Sequence, residues 1–327
     1  MATVADSGKS VTRLGSTRIE EKRHSESLFR MSLRRFLKHR MAVAGVFLLM
    51  GVFVFVVGGS IVYSESYSNT VSMVDKFKPP SAAHPFGTDQ VGRDVLARTV
   101  YGGQISLMIA VSAVTISITL GTIVGLISGY TVGTSYSWID SVLMRIVEAL
   151  LAFPSLFLLL TLSQVFAKNP AILNANLTVF GRELNATVIA IVLVIGLLGW
   201  MGLSRIVRSL VLTLKEQEFV TSARALGAGN ARIIFAHILP NCIAPIVVTA
   251  TLGIGGAIIT EAYLSFLGFG VQPPTATWGN ILERARDSIS AYWWLAFFPG
   301  MLITITVLAI NFIGDGLRDA LDPRSKN

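Results

Sequence analysis

The chain has 327 residues, 52% of them hydrophobic and only 14% charged, with a net charge of +8 and one cysteine. Soluble domains carry roughly 25% charged residues, and the mean hydropathy here is +0.64, so a soluble globular fold is excluded. Cys242 alone rules out an intrachain disulfide and a CxxC metal site. Without aromatic–basic interleaving, the positive charge points to membrane topology and not to nucleic acid.

Residues 1–26 are polar, mixed in charge and rich in Ser, Thr, Lys and Arg, the composition of a disordered tail. Within it, Gly8-Lys9-Ser10 resembles the end of a phosphate-binding loop. Thr3 stands where that loop needs its first glycine, and no strand precedes it, so the match is rejected. No secretory leader is expected, because the first apolar run begins near Met41 and is long enough to span. Over residues 27–40, Leu28, Phe29, Leu33, Phe36 and Leu37 recur at helical spacing, while Arg30, Arg34, Arg35, Lys38 and Arg40 cover much of the remainder. This pattern predicts an amphipathic helix lying on membrane lipids, in preference to a plain charged flank of a spanning helix.

Six apolar segments follow, over residues 41–63, 105–130, 141–166, 186–203, 243–264 and 291–314. Each is near the ~20 residues needed to cross ~30 Å of hydrocarbon. The fold class is therefore an all-α polytopic membrane protein with six transmembrane helices. Arg145 and Glu148 sit near an interface in the third segment, Glu261 sits near the far end of the fifth, and the fourth is the weakest apolar run. In the second, Ser112, Thr115, Ser117, Thr119, Gly121 and Gly125 permit close helix packing, a role favoured over pore lining. With the N-terminus inside, the inner segments hold 19 Lys and Arg and the outer loops 8. That bias places both termini and a loop over residues 204–242 in the cytoplasm. A permease-sized domain over residues 41–314 is thus followed by a cytoplasmic C-terminal tail over residues 315–327.

Two outer stretches are dense in turn formers. The loop over residues 64–104 holds Lys78-Pro79-Pro80, then His84 to Asp89, then Gly92-Arg93-Asp94, which predicts tight turns and capped short helices. The loop over residues 265–290 opens with an apolar, aromatic stretch broken by Gly and Pro. Such backbone at membrane depth is tolerated only against protein or a water-filled cavity. No catalytic constellation emerges. His24, His39, His84 and His237 are scattered, no GxSxG occurs, and the pairs Asp89/Asp94 and Glu283/Asp287 suit capping or solvated roles. The middles of the spans lack the ionisable groups of ion-coupled transporters. Neither an enzyme nor a metal or cofactor site is expected.

The longest polar interruption of the C-terminal half is residues 218–241, EFVTSARALGAGNARIIFAHILPN. It reads as two short helices over residues 218–226 and 231–239, separated by Gly227 and Gly229, with Pro240 closing the second. This stretch resembles the cytoplasmic loop of ABC importer permeases: Glu-Ala-Ala, three residues, Gly, nine residues, Ile, one residue, Leu-Pro. Gly227 takes the glycine, Leu239-Pro240 the end and Ala223 the last alanine, while Thr221 and Ser222 replace Glu-Ala and His237 replaces Ile. Glu218, one turn earlier, is the nearest carboxylate to the missing acidic position. The runs HPFGTDQVGRDVL from His84, LSFLGFGVQPP from Leu264, Trp278-Gly279 and GDGLRDALDPR from Gly314 resemble the C-type permease subunit of the oligopeptide and dipeptide branch.

The resemblance implies one half of a translocation path, paired with a second, homologous permease in a heterodimer. It implies two ATP-binding subunits, an extracytoplasmic peptide-binding protein and a bacterial inner membrane. ATP and magnesium belong to the partner subunits. The loop's first helix becomes a coupling helix, with Glu218, Phe219, Ala223, Arg224, Leu226, Gly227, Leu239 and Pro240 as its ATPase-coupling residues. Permeases for nickel chelates or antimicrobial peptides share these motifs and stand as the alternative, with a non-ABC channel or membrane scaffold more distant.

Overall fold

A computed structural model describes residues 28–169, 178–179, 182–183 and 185–322. The expected disordered tail over residues 1–26 lies outside the described residues. The chain enters through α1 (Leu28–Lys38), on whose exposed face lie Leu33 and Leu37. This helix packs on the end of the last helix, where Arg35 donates to the Asp322 carbonyl at 3.3 Å. His39 then caps α2 (Arg40–Val62), its Nδ1 accepting from the Ala42 N–H at 3.1 Å.

The centre of the bundle is a parallel pair, α4 (Val95–Thr131) and α7 (Ala186–Leu214). Glycines at four-residue intervals on α4 set how close the two approach. A Cβ at Gly121 would lie 2.8 Å from the Trp200 carbonyl, one at Gly125 2.6 Å from Val207 Cβ, and one at Gly129 2.7 Å from Val211 Cβ. Contacts that advance together along both helices define the parallel register. Ser117 donates to the Gly196 carbonyl at 2.9 Å, which fills one turn of the same seam. The packing role expected for Ser117, Gly121 and Gly125 is therefore met, whereas Thr115 and Thr119 lie on the exposed face of α4. The fourth apolar segment, expected to be the weakest, is a regular 29-residue helix.

The irregularity falls in the third segment instead. What reads as one span over residues 141–166 is α5 (Ser137–Ala152) and α6 (Ser155–Ala167), bent by 96° at their junction. The cause is Pro154, which has no N–H and pushes the residue before it out of the helical region; Phe153 sits at φ −81°, ψ 139°. Among the described residues, five helices are long and apolar enough to cross a membrane, or six if the bent pair counts as one span.

The fifth span is α9 (Asn230–Phe266), a continuous 37-residue helix, and the sixth is α11 (Trp294–Leu321). Because α11 runs to Leu321, the residues expected to begin a tail at 315 are helical. Likewise α7 continues to Leu214 and α4 starts at Val95, so the loops expected over residues 204–242 and 64–104 are shorter than their sequence bounds. A two-residue antiparallel pair, β1 (Thr178–Val179) with β2 (Arg182–Glu183), lies between α6 and α7.

The main core lies between α4, α7, α9 and α11, with Ile109, Ala113, Ile191, Ile258 and Ile310 at its centre. α2 begins, and α4, α7 and α11 end, on one side, here the terminal face. The opposite face carries α3 (Glu65–Asn69), capped by Ser64, and α10 (Trp278–Ala285), held by a reciprocal Thr277/Asn280 capping box. Of the two, α3 is a capped short helix of the kind expected over residues 64–104, whereas α10 lies in the second outer loop, where none was expected. Both carboxylates of the Asp89/Asp94 pair cap backbone: Asp89 Oδ1 accepts from Val91 and Arg93 N–H, and Asp94 Oδ1 from Ala97 N–H.

Candidate functional site on the terminal face

The segment between α7 and α9 carries α8 (Glu218–Ala225). One residue nails it to the bundle. Val220 is fully buried in a cluster with Val207, Val211, Ile233, Ile238 and Cys242. Three polar ties brace the base on which α8 sits. Tyr130 donates to Asn230 Oδ1 at 2.8 Å, and Lys215 donates to the Val132 carbonyl at 2.7 Å. Arg208 grips Asp140 with two N–H groups at 2.6 and 2.8 Å, joining α7 to α5.

The helix ends in a Schellman motif. The Ala228 N–H reaches the Ala223 carbonyl at 3.0 Å, and the Gly227 N–H reaches the Arg224 carbonyl at 3.0 Å. This needs a left-handed residue at the turn, and Gly227 supplies it with φ +86°. The reversal leaves Leu226 89% exposed at the tip, beside Phe219 at 42%, with Arg224 exposed and Ala223 half-buried. Glu218 is exposed in the first turn. Six of the eight sequence-selected residues, Glu218 to Gly227, therefore share one short, outward-facing element.

Leu239 and Pro240 do not belong to it. The sequence suggests that Pro240 closes a separate second helix, but the helix runs on through it as α9. Ile233–Ile238 forms a π-helical turn, closed by the Leu239 N–H on the Ile234 carbonyl. The wider turn frees the carbonyl that would meet the proline ring, and a proline needs no donor of its own there. Leu239 is half-buried beneath the loop and Pro240 is exposed at the start of the span proper.

The sequence did not single out the anchors Val220, Ile233 and Ile238. The five-residue spacing of Ile233 and Ile238 matches the π turn and not the 3.6-residue period that sequence patterns follow. It also missed Phe235, 65% exposed on the same face.

Behind the loop, α4, α7 and α9 enclose a groove of about 190 Å³, with Ser117, Gly199, Thr249, Gly253, Gly256 and Thr260 along it. At the far end of α9, Glu261 is fully buried. It accepts from Ser106 on α4 at 3.0 Å and from Ser265 at 2.8 Å, and Ser106 in turn accepts from the Trp278 N–H at 3.2 Å. One carboxylate thus ties α4, α9 and α10 together. The Gly- and Pro-broken stretch beside it packs on protein, as its composition requires: Val271, Ala276 and Trp278 are buried, and Asn280 donates to the Val271 and Thr275 carbonyls.

Comparison with known proteins matches residues 121–327 to the binding-protein-dependent transport system inner membrane component, and residues 27–80 to the N-terminal TM domain of oligopeptide transport permease C. The dipeptide transport system permease protein DppC of Alkalihalophilus pseudofirmus is 39% identical over 310 residues, covering 94% of each chain. The DppC protein of Bacillus subtilis is 39% identical over 313 residues, covering 93% of this chain and 91% of that one. Among solved structures, the MetNI methionine ABC transporter in an inward-facing conformation aligns with a TM-score of 0.52 at 19% identity, over 68% of this chain and 96% of that one. That last likeness is one of fold. Two family matches, and relatives aligned over more than nine-tenths of their length at this identity, lead to one conclusion: the chain belongs to the binding-protein-dependent transport system inner membrane components, the multi-pass permease subunits of ABC transporters.

Proposed function

We propose that this chain is the C-type permease of a bacterial peptide importer, with both termini and α8 on the cytoplasmic side of the inner membrane. The observation that carries the proposal is α8 itself, an apolar and cationic tip held rigidly clear of the bundle. Phe219 and Leu226 offer anchors, Ala223 lets a partner surface approach, and Arg224 offers a charged contact. A groove on a separate ATP-binding subunit is the occupant that this shape suits. Since Thr221 stands at the family's acidic position, docking relies on the turn at Gly227 and on Arg224 more than on a carboxylate. The peptide assignment is supported by relatives named as dipeptide permeases.

The continuity of α9 suggests how docking becomes transport. Its 37 residues form a rod about 55 Å long at 1.5 Å per residue. One end is packed under α8 and the other is tied through Glu261 to α4 and α10. Movement of a docked ATPase pair would tilt this rod and, with it, the wall of the α4/α7/α9 groove, which serves as this chain's share of the path between two permeases. ATP hydrolysis stays on the partner subunits, and an external binding protein delivers the peptide. The drive works only to the extent that the partners prefer one tilt over the other. The test is uptake of labelled di- to pentapeptides into vesicles carrying the assembled complex. ATP-dependent accumulation is expected. Uptake of a nickel chelate and not of peptides would refute the substrate class, and uptake without ATPase subunits would refute the mechanism.

A further inference from the structure

On the face opposite α8, the first turn of α4 carries an arginine that transport coupling leaves unexplained. Arg98 is 1% exposed. Its Nη1 donates to Asn69 Oδ1 at 3.2 Å, while its Nη2, also buried, has no hydrogen-bond partner among the described residues. A buried charged donor left unpaired is strongly unfavourable. The charged groups acting on it are Arg93, Arg284 and Asp89. Asp89 is already engaged: its Oδ2 accepts from Arg93 Nε at 2.9 Å and its Oδ1 from two backbone N–H groups. Three guanidinium groups therefore face one carboxylate, with the half-exposed Glu283 the other acid that acts on Arg284. The strain shows at Arg284 too, whose pKa is lowered from the usual arginine value by burial and then by Arg93.

Between these groups lies a pocket of about 10 Å³, lined by Asp89, Gln90, Arg98 and Arg284 together with the apolar Val95 and Ile281. That volume is at the lower bound for one small guest, a water molecule or a monatomic ion. A water molecule would satisfy a donor but would leave the surplus positive charge. We propose that this cavity is a monatomic-anion site, filled by chloride, in which Arg98 Nη2 and Arg284 hold the ion and so pin the start of α4 to α10. The site is independent of the peptide assignment.

The test uses the full chain in detergent. Melting is compared in potassium chloride and potassium gluconate at equal ionic strength, and the structure is determined with bromide replacing chloride, at the bromine absorption edge. At ten times Kd, chloride should raise Tm by about 2–4 °C, and bromide should give an anomalous peak beside Arg98. Arg98→Met is the direct variant. Arg284→Gln, at a half-exposed position, keeps the question answerable if the first does not fold; it should lose the chloride increment, with a gluconate Tm equal to or above the parent's. A bromide peak in the cavity supports the site even where the shift is small. Its absence overturns the proposal, whatever the melting curves show, and leaves a water-filled cavity.

Discussion

Replacing Gly227 separates two explanations for a glycine in the loop: space and backbone conformation. A Cβ at this position would meet nothing within 4 Å, yet φ is +86°. Sterics with neighbours therefore contribute nothing, and the whole cost of a side chain is conformational. A left-handed residue other than glycine costs roughly 1–2 kcal/mol, enough to reduce the native turn about 5- to 30-fold against its alternatives. Asparagine tolerates this region, whereas a β-branched residue is a true outlier there. Gly227→Asn should thus preserve transport, while Gly227→Val should let the tip of α8 unravel from its last turn. Val220 and the α4/α7 seam lie outside the perturbed turn, so both variants should insert and purify at the parental level. The assay is peptide uptake per ATP hydrolysed by the reconstituted complex, with Val lowering that ratio severalfold and Asn leaving it near the parent. Equal ratios for the two variants would refute the conformational account, since they differ chiefly in left-handed tolerance.

Three other substitutions probe different parts of the molecule. Gly125→Leu places a side chain 2.6 Å from Val207 Cβ and 2.7 Å from the Ser204 carbonyl; overpacking of about 1–3 kcal/mol or more should reduce the folded yield. Its control, Gly51→Leu on the exposed face of α2, should change nothing, and equal yields of the two would count against the seam. Trp278→Phe removes the 2.9 Å bond from Nε1 to the Thr99 carbonyl. It should cost about 1 kcal/mol, read as a fall in detergent Tm; an unchanged Tm would show that the bond contributes nothing net. Arg224→Glu reverses the exposed charge on α8 and should weaken co-purification of the ATPase subunits, a loss that high salt in the parent should partly mimic.

What the sequence disclosed depended on how local the governing physics was. The apolar runs gave the spans because each must satisfy its own backbone in lipid, and the turn-rich outer loop gave capped helices because Asp94 and Ser64 act within three residues of themselves. Gly121 and Gly125 were legible as packing residues, but their partners on α7 were not, because nothing local says which helix fills a groove. The bend in the third segment was legible in principle: Phe153-Pro154 stands mid-run, and hydropathy alone overrode it. Of the loop, Gly227 announced its turn, while Val220 looked like any apolar residue of a short helix; only the distant Val211 and Ile233 make it the anchor.

Pro240 is the most instructive misreading, since the same two properties of proline explain both the expectation and the outcome. A missing N–H and a clash with the fourth carbonyl back ordinarily end a helix. Here the turn before it is π-helical, with Leu239 bonded to Ile234, so the backbone widens where the ring needs room and no donor is missed. The consequence reaches past local geometry. Were the helix broken at Pro240, the α8 platform would hang on a hinge, and movement at Leu226 would be dissipated there. Because the helix continues, Ile233 and Ile238 under α8 and Glu261 at the far end lie on one helix, which also carries Pro245 in its interior. Under the proposed function, the residue that looked like a stop leaves an unbroken helix along which a push on the terminal face can reach the opposite one.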